Sequence, residues 1–475
     1  MDKPQKTGAI LITLLFALGC WVAVYFHRPE VVALLAVGAV ALLLSGYPSI
    51  LFLILIGSIP WSVEYSATST LSTDLPDEPL MLLVSFVVLL LVVQRRRWQG
   101  PAVFSSVLFI VLLLQAGWWS ISTAFSSDTL ISGKFLLAKS WYLLAFVGAP
   151  LLLLREPKDF ARLGGVLVTS MMVLTVVVLV RHAYKGFTFE DINDSLSPFF
   201  RNHVNYSALL VITIPLLIAF HSAARSSWAK GLLVSTLLVA LAALYLSYAR
   251  GAWLALIVGG VAYWLLQKKL LLWAYITSLV LVLATVLWLK ADNRYLRFAH
   301  DYETTVFHTD FREHLVATYQ LKDVSTAERF YRWIAGVRMI KDNWQTGYGP
   351  NTYYYHYQRY AVPAFKTWVS KNEERSTVHN YFLLTIIEQG VMGLLLLLFL
   401  LGYMFYTTQR VYHAAPDRFW RSLMAIIAVV LSMICTVNFL SDLVETDKVG
   451  SIFYMCLGIL ILGELRKPSE LAPHV

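Results

Sequence analysis

Three cationic or titratable side chains of this 475-residue sequence have types and positions suited to chemistry. Arg250 interrupts an apolar stretch, Arg329 lies in a polar segment, and His379 directly precedes another apolar stretch. Arginine stays protonated and grips phosphate oxygens through two parallel hydrogen bonds. A neutral histidine can accept a proton from a hydroxyl group. Together these residues are suited to binding an anion and moving a proton.

The composition predicts which elements must position these residues. The chain is 58% hydrophobic and 14% charged, whereas a soluble domain carries about 25% charged residues. A helix that crosses a bilayer needs about 20 apolar residues. We therefore predict an all-α polytopic membrane protein with about 14 transmembrane helices, or 12 if the shortest stretches do not cross. The predicted spans are 8–26, 30–45, 48–62, 79–94, 102–119, 134–154, 161–182, 203–223, 231–248, 251–267, 270–289, 380–408, 421–441 and 449–465.

The distribution of lysine and arginine predicts the orientation, because these residues concentrate in cytoplasmic loops. Alternate loops carry two or three cations, as in Arg95–Arg97, while the short loops between them carry one or none, apart from the loop that holds Lys185 and Arg201. Both termini are therefore expected in the cytoplasm, and this bias explains most of the net charge of +9 without a nucleic-acid partner. The predicted domains are 1–289 (helices 1–11), 290–378 (an extracytoplasmic loop domain), 379–465 (helices 12–14) and 466–475 (a cytoplasmic tail).

The long extracytoplasmic loop is predicted to contain a helix. Ser325 and Glu328 have the spacing of a capping box, which would open a helix ending near Asp342. Arg329 and Trp333 are four residues apart and would lie on one face of it. The same pattern also fits a plain surface helix lying on the membrane.

A tight loop is predicted to follow this helix. Gly347 and Gly349 stand beside Pro350 and Asn351, and backbone amides in such a loop can face an anion. Tyrosines crowd the next residues, 353–360. Aromatic side chains stack on sugar rings, but they also collect at membrane interfaces for purely physical reasons, so both explanations stay open.

Each candidate cation also has a structural explanation. An arginine in an apolar stretch is costly and is a functional candidate by default, yet Arg250 could be an interface anchor. His379 could pack beside Tyr381 at the interface. Arg201, at the outer start of span 203–223, is a weaker candidate for substrate binding. The histidines and acids at 300–314 match no familiar metal-ligand spacing, so we predict no metal site.

Four short motifs in this order resemble the bacterial O-antigen ligase and polymerase superfamily. They are Ser247-x-x-Arg250-Gly251, Glu328-Arg329 with Trp333, Gly347-x-Gly349-Pro350-Asn351, and His379-Asn380 followed by Glu388-Gln389-Gly390. The helix count and the single long outer loop extend the resemblance to the whole chain. The tyrosine-rich stretch after Asn351 is unusual, so we expect the acceptor to differ from that of better-known members.

The resemblance implies a metal-independent C-type glycosyltransferase of the bacterial inner membrane, without a cofactor, whose site faces the periplasm. Such enzymes move a glycan from undecaprenyl pyrophosphate to an acceptor hydroxyl, on lipid A–core in ligases and on a carrier-linked repeat in polymerases. The motif spacing favours a ligase, and both remain open. Carried over, Arg250 and Arg329 would stabilise the pyrophosphate and His379 would be the base. The residues expected to bind substrate are Arg201, Glu328, Trp333, Gly347, Gly349, Asn351 and Asn380.

Two other classes of protein are compatible with parts of the sequence. A transporter of lipid-linked oligosaccharides would need matched halves and polar residues at mid-membrane depth, whereas Glu388 is the main charge noted within a span. A glycan receptor without catalytic activity would keep the tyrosines but would not require Arg250, Arg329 and His379 together.

Overall fold

The computed structural model describes residues 46–68, 71–94, 100–298, 324–362 and 376–466. These residues form α-helices connected by short loops and 3₁₀ turns, with one β-hairpin. The helices are α1 (Pro48–Ser58), α2 (Asp77–Val93), α3 (Val107–Ala124), α4 (Thr129–Leu153), α5 (Pro157–Ala183), α6 (Ile192–Leu196), α7 (His203–Ala223), α8 (Ser227–Leu246), α9 (Arg250–Gln267), α10 (Leu271–Lys290), α11 (Val324–Asp342), α12 (Tyr353–His356), α13 (Tyr381–Ala414), α14 (Arg418–Phe439) and α15 (Asp447–Leu465).

Nine helices within the described ranges are long and apolar enough to cross a membrane. They are α3, α4, α5, α7, α8, α10, α13, α14 and α15. Every predicted span from 48–62 onward overlaps a helix, which confirms the class of a helical polytopic membrane protein. The spans predicted at 8–26 and 30–45 lie outside the described residues, so the total of 14 stays a prediction.

One short β-hairpin accompanies the helices of the described residues, which otherwise agree with the predicted all-α fold. Strand β1 (Val63–Thr68) pairs antiparallel with β2 (Leu71–Leu75), and Glu64 lies opposite Asp74. The sequence predicts only a short loop between the spans 48–62 and 79–94. Valine, tyrosine and threonine favour strands, so the composition of β1 held a signal for it. The hairpin ends at the start of α2, where the hydroxyl of Ser62 donates to the buried carboxylate of Asp77 at 2.8 Å.

Helices α13 and α14 pack against α15, whose residues from Val449 to Gly463 are all buried. Helix α9 lies directly against α14: a Cβ on Gly259 would come within 2.5 Å of Met433 Cε. Small residues permit this approach between membrane helices. In contrast, only Leu271 of α10 is buried, so this helix presents nearly all of its apolar surface outward.

Helix α13 is broken at Gly390, whose φ of 70° is left-handed. The chain just after α11 fills the break. A Cβ on Gly390 would lie 2.1 Å from the carbonyl oxygen of Gln345, and a Cβ on Gly347 would lie 2.3 Å from the carbonyl carbon of Glu388. Both positions therefore require glycine, because a side chain would collide with backbone and left-handed φ values disfavour other residues.

We expect Gly390→Ala to destabilise the protein by at least about 2 kcal/mol, since it adds left-handed strain to a backbone collision. The thermal unfolding midpoint of purified protein in detergent measures this effect. The matched control is Gly260→Ala in α9, because a Cβ there meets no atom within 4 Å. Equal midpoints for the two variants would show that the break does not depend on glycine.

Candidate active site

Helix α11 and the N-terminus of α13 bring the sequence-predicted residues together. Helix α11 ends at Asp342 as expected, and Glu328 is buried; the side chain of Ser325 lies outside the described part. At the other element, Asn380 is the N-cap of α13, and its side-chain oxygen accepts from the amide of Leu383 at 2.9 Å. Its side-chain nitrogen donates to the carbonyl of Phe439 at 2.9 Å. Asn380 therefore fixes the start of α13 against the end of α14, and substrate binding by it stays a prediction.

His379 lies between a cation and a carboxylate. Its Nε2 is 2.8 Å from Nη1 of Arg332, and its Nδ1 is 4.0 Å from Oδ1 of Asp442. Arginine has donors and no acceptor, so Nε2 accepts and the ring proton is on Nδ1, toward Asp442. The other oxygen of Asp442 accepts from the hydroxyl of Thr377 at 2.5 Å. His379 also has a left-handed φ of 51°, a strain that is typical of functional positions.

The surroundings keep His379 neutral. Burial lowers the pKa of its imidazole to about 3, and the positive charges of Arg332 and Arg329 act in the same direction. Burial raises the pKa of the neighbouring Asp442 carboxyl, which the hydrogen bond from Thr377 opposes. A neutral imidazole at physiological pH is the form that can act as a general base.

Helix α11 is hydrogen-bonded to the two segments that surround His379, at Val378 and at Leu440. Trp333 Nε1 donates to the carbonyl of Val378 at 3.0 Å, and Arg329 Nε donates to the carbonyl of Leu440 at 3.2 Å. The ring of Trp333 also meets Phe439 edge to face, with centroids 6.1 Å apart. The two residues of the predicted helical stripe therefore connect α11 to both the approach to α13 and the end of α14.

The motif around Arg250 lies close to Leu440, at the end of α14. Arg250 is the first residue of α9 and is half-buried. The buried Ser247 orders the preceding turn, because its hydroxyl donates to the carbonyl of Leu244 at 2.7 Å. A Cβ on Gly251 would lie 3.6 Å from Cδ1 of Leu440, the residue whose carbonyl accepts from Arg329. Arg250 and Arg329 thus belong to segments that meet at one residue.

Arg201 has a partner on the hairpin. Its Nε and Nη2 donate to one carboxylate oxygen of Glu64 at 2.8 and 2.6 Å. The guanidinium remains largely exposed, at 71% for the side chain. An exposed ion pair contributes little stability, so a ligand can compete for this arginine. Substrate binding by Arg201 stays a prediction.

The sequence predicts that the amides of the glycine loop can face an anion. In the structure, two of these amides donate to backbone carbonyls of α13. The amide of Tyr348 donates to the carbonyl of Ile387 at 3.0 Å, and that of Gly349 to the carbonyl of Glu388 at 2.8 Å. The carboxylate of Glu388 accepts from the amide of Asn351 at 2.8 Å. These contacts give the loop a structural role, in which the chain supplies its own acceptors. Substrate binding by Gly347, Gly349 and Asn351 stays a prediction.

Sequence reasoning missed Arg332 and Asp442, the two residues nearest the imidazole. Arg332 is 5% exposed, and its Nη2 lies 3.4 Å from Oε2 of Glu328. The spacing of four residues between this glutamate and arginine is typical of paired charges on a helix, and it could have identified Arg332. Asp442 stands alone in a short loop, where no local pattern indicates its role.

A second missed feature holds the loop that carries Asp442. Lys139, within α4, forms a 2.8 Å ion pair with Glu445, and its ammonium lies 5.2 Å from the ring centroid of Tyr142. The hydroxyl of Tyr142 donates to the carbonyl of Thr446 at 3.4 Å. The loop from 440 to 446 is therefore anchored at both ends, by the site at one and by this pair at the other.

Comparison with known proteins agrees with this geometry. The family model described as O-antigen ligase matches residues 235–398, which run from α8 into α13 and contain Arg250, Arg329, Arg332 and His379. No curated protein matches the chain. The match confirms the resemblance that the motifs predicted: residues 235–398 are similar to the O-antigen ligase family.

Proposed function

We propose that the protein is a ligase-like glycosyltransferase that moves a glycan from undecaprenyl pyrophosphate to a hydroxyl group of lipid A–core. It would act at the periplasmic face of the bacterial inner membrane, with both termini in the cytoplasm, and without a metal ion or cofactor. The observation that supports this most is the neutral His379, held between Arg332 and Asp442 beside Arg329. The neutral imidazole can accept the proton of the attacking hydroxyl, and the positive charge beside it can stabilise an anionic leaving group.

In the proposed reaction, the acceptor hydroxyl attacks the anomeric carbon of the donor. The bond from that carbon to the pyrophosphate oxygen breaks, its electron pair leaves with the pyrophosphate, and the hydroxyl proton passes to His379. Arg250 and Arg329 stabilise the charge that develops on the leaving group. Arg250 begins α9 and Arg329 lies in the second turn of α11. A partly dehydrated site would strengthen this effect, because charges there are poorly screened.

Asp442 is proposed to position the histidine. Its carboxylate faces Nδ1 and is itself held by Thr377. An acid in this place keeps the ring proton on Nδ1 and stabilises the imidazolium that forms when the base accepts a proton. The same arrangement of base and orienting carboxylate recurs in enzymes of unrelated fold.

Exposed aromatic residues near the site support a glycan as the substrate. Trp344 and Tyr355, which lie before and after the glycine loop, are 52% and 54% exposed. Flat aromatic faces of this kind can stack on sugar rings, and we propose that they contact the saccharide part of the donor or acceptor.

The glycan phenotype of a deletion strain tests the proposed function. We expect lipid A–linked polymer to disappear while polymerised, carrier-linked chains accumulate, because synthesis of the chains does not need the transfer step. Electrophoresis of lipopolysaccharide and analysis of carrier-linked glycans measure both pools, and plasmid-borne wild-type protein is the control. Products limited to a single repeat would indicate a polymerase instead, and an unchanged pattern in both pools would contradict either activity.

A further inference from the structure

The hydrogen bond from Arg332 occupies the lone pair that His379 would use as the base in the proposed reaction. Arginine stays protonated and only donates, so the 2.8 Å contact occupies the lone pair of His379 Nε2. The proton is then on Nδ1, which faces Asp442. Neither ring nitrogen can take a proton from a hydroxyl group until Arg332 releases Nε2.

The contacts of Arg332 permit such a release. Its Nη1 serves two acceptors, His379 Nε2 and the carbonyl of Thr377 at 3.1 Å, while its Nη2 faces Glu328 at 3.4 Å. Losing the histidine leaves the guanidinium attached through its other two partners. A neutral imidazole is a weaker acceptor than a charged phosphate oxygen, so an arriving anion can compete for Nη1.

The position of Arg332 also suits a response to the donor. Arg329 is three residues earlier on α11, and residues at this spacing are neighbours on a helix surface. The positive charges of both guanidinium groups act on His379, whose side chain is 32% exposed. A pyrophosphate bound by Arg329 would therefore bring strong acceptors close to Arg332.

We propose that Arg332 is a donor-operated lock on His379: it occupies Nε2 at rest, and the pyrophosphate of the bound donor draws it away. This inference rests on the proposed function, which makes His379 the base and a pyrophosphate the leaving group. With the lock open, the acceptor O–H bond breaks and its proton moves to Nε2. The oxygen then bonds to the anomeric carbon as the pyrophosphate departs with the electron pair. The acceptor is thus activated only after the donor is in place.

Carbethoxylation of His379 by diethyl pyrocarbonate tests the lock, because the reagent attacks an imidazole nitrogen whose lone pair is available. Full-length protein in nanodiscs is labelled with and without inorganic pyrophosphate, at matched ionic strength, and the His379 peptide is quantified by mass spectrometry. We expect pyrophosphate to accelerate labelling about tenfold, the factor expected for releasing one hydrogen bond from a charged donor. His356, which bonds to Ser127 at 2.8 Å, is the internal control and should not change.

Arg332→Met provides the second measurement. Its His379 should label fast in both conditions, since the lock is absent. The wild-type comparison stands on its own if this variant fails to fold. Equal labelling of wild-type His379 with and without pyrophosphate, or slower labelling with it, would overturn the lock. Transfer that survives His379→Ala would instead contradict the base role, and pyrophosphate-dependent labelling in wild type would still support the lock.

Discussion

His379→Ala is expected to abolish glycan transfer while binding of the undecaprenyl-linked donor persists. The reason is that, in the proposed mechanism, the arginines hold the pyrophosphate and His379 takes the proton from the acceptor. The loss should be about 10²-fold or more, the usual scale for removing a general base. Donor binding and transfer should be measured side by side in purified, reconstituted protein.

The matched control for this variant is His356→Ala. It removes another half-buried histidine, at the end of α12, which is hydrogen-bonded to Ser127. It should retain near-normal transfer. If His379→Ala loses donor binding in parallel with transfer, His379 is a binding or packing residue. If transfer is unchanged, the histidine is not part of the active site.

The pH dependence of the wild type follows from the same residue. The pKa of His379 is lowered to about 3, so the neutral base is present above that pH and is lost only as the pH falls through it. The sequence alone predicts a fall in transfer under acid conditions, and the structure moves that fall well below the ordinary histidine range. kcat/KM for the donor, which reports the free enzyme, should therefore not show an acid limb near pH 6.5, the usual pKa of histidine.

Replacing either candidate arginine by lysine is expected to remove most of the activity. Arg250→Lys and Arg329→Lys keep the positive charge but lose the planar pair of donors that matches a pyrophosphate. Removing one such stabilising group from a transition state typically costs about 10²- to 10³-fold in kcat. The measurement is steady-state transfer, with insertion and folding checked by gel filtration in detergent.

Arg338→Lys is the matched control, because Arg338 lies on the same helix α11, is exposed, and donates only weakly to the carbonyl of Tyr360 at 3.5 Å. It should leave transfer unchanged. If all three lysine variants behave alike, Arg250 and Arg329 are interface anchors, the structural explanation that the sequence left open.

The sequence predicted the helices well because their signal is local. An apolar run of sufficient length indicates a membrane helix whatever it packs against, and the capping residue Asn380 stands directly before its helix. The hairpin at 63–75 was missed, since an outer loop between two apolar runs gives no reason to look for strands. The family motifs predicted that His379 and Arg329 belong to one site. In the structure, α11 is hydrogen-bonded to residues 377–379 and to Leu440, which connects the two residues.

The immediate partners of His379 could not be predicted in the same way. Asp442 is 63 residues after the histidine, and only the packing of α13 against α14 brings the two together. Arg332 lies between Arg329 and Trp333, which the family motif includes. Arg332 differs from the other arginines of α11 in being buried, and burial is not visible in the sequence. The role expected of the glycine loop depends on which acceptors lie nearby, and the broken helix that provides them is a tertiary feature.

The break in α13 also dictates the order in which the protein matures. The loop at 347–351 is synthesised before Glu388, whose carbonyl and carboxylate satisfy its amides. Arg329 is likewise synthesised before Leu440, the residue after α14 whose carbonyl accepts its hydrogen bond. A nascent chain therefore lacks these contacts until α14 and the loop that follows it have been made. A chain truncated before α14 should accordingly be inert in transfer even if it reached the membrane.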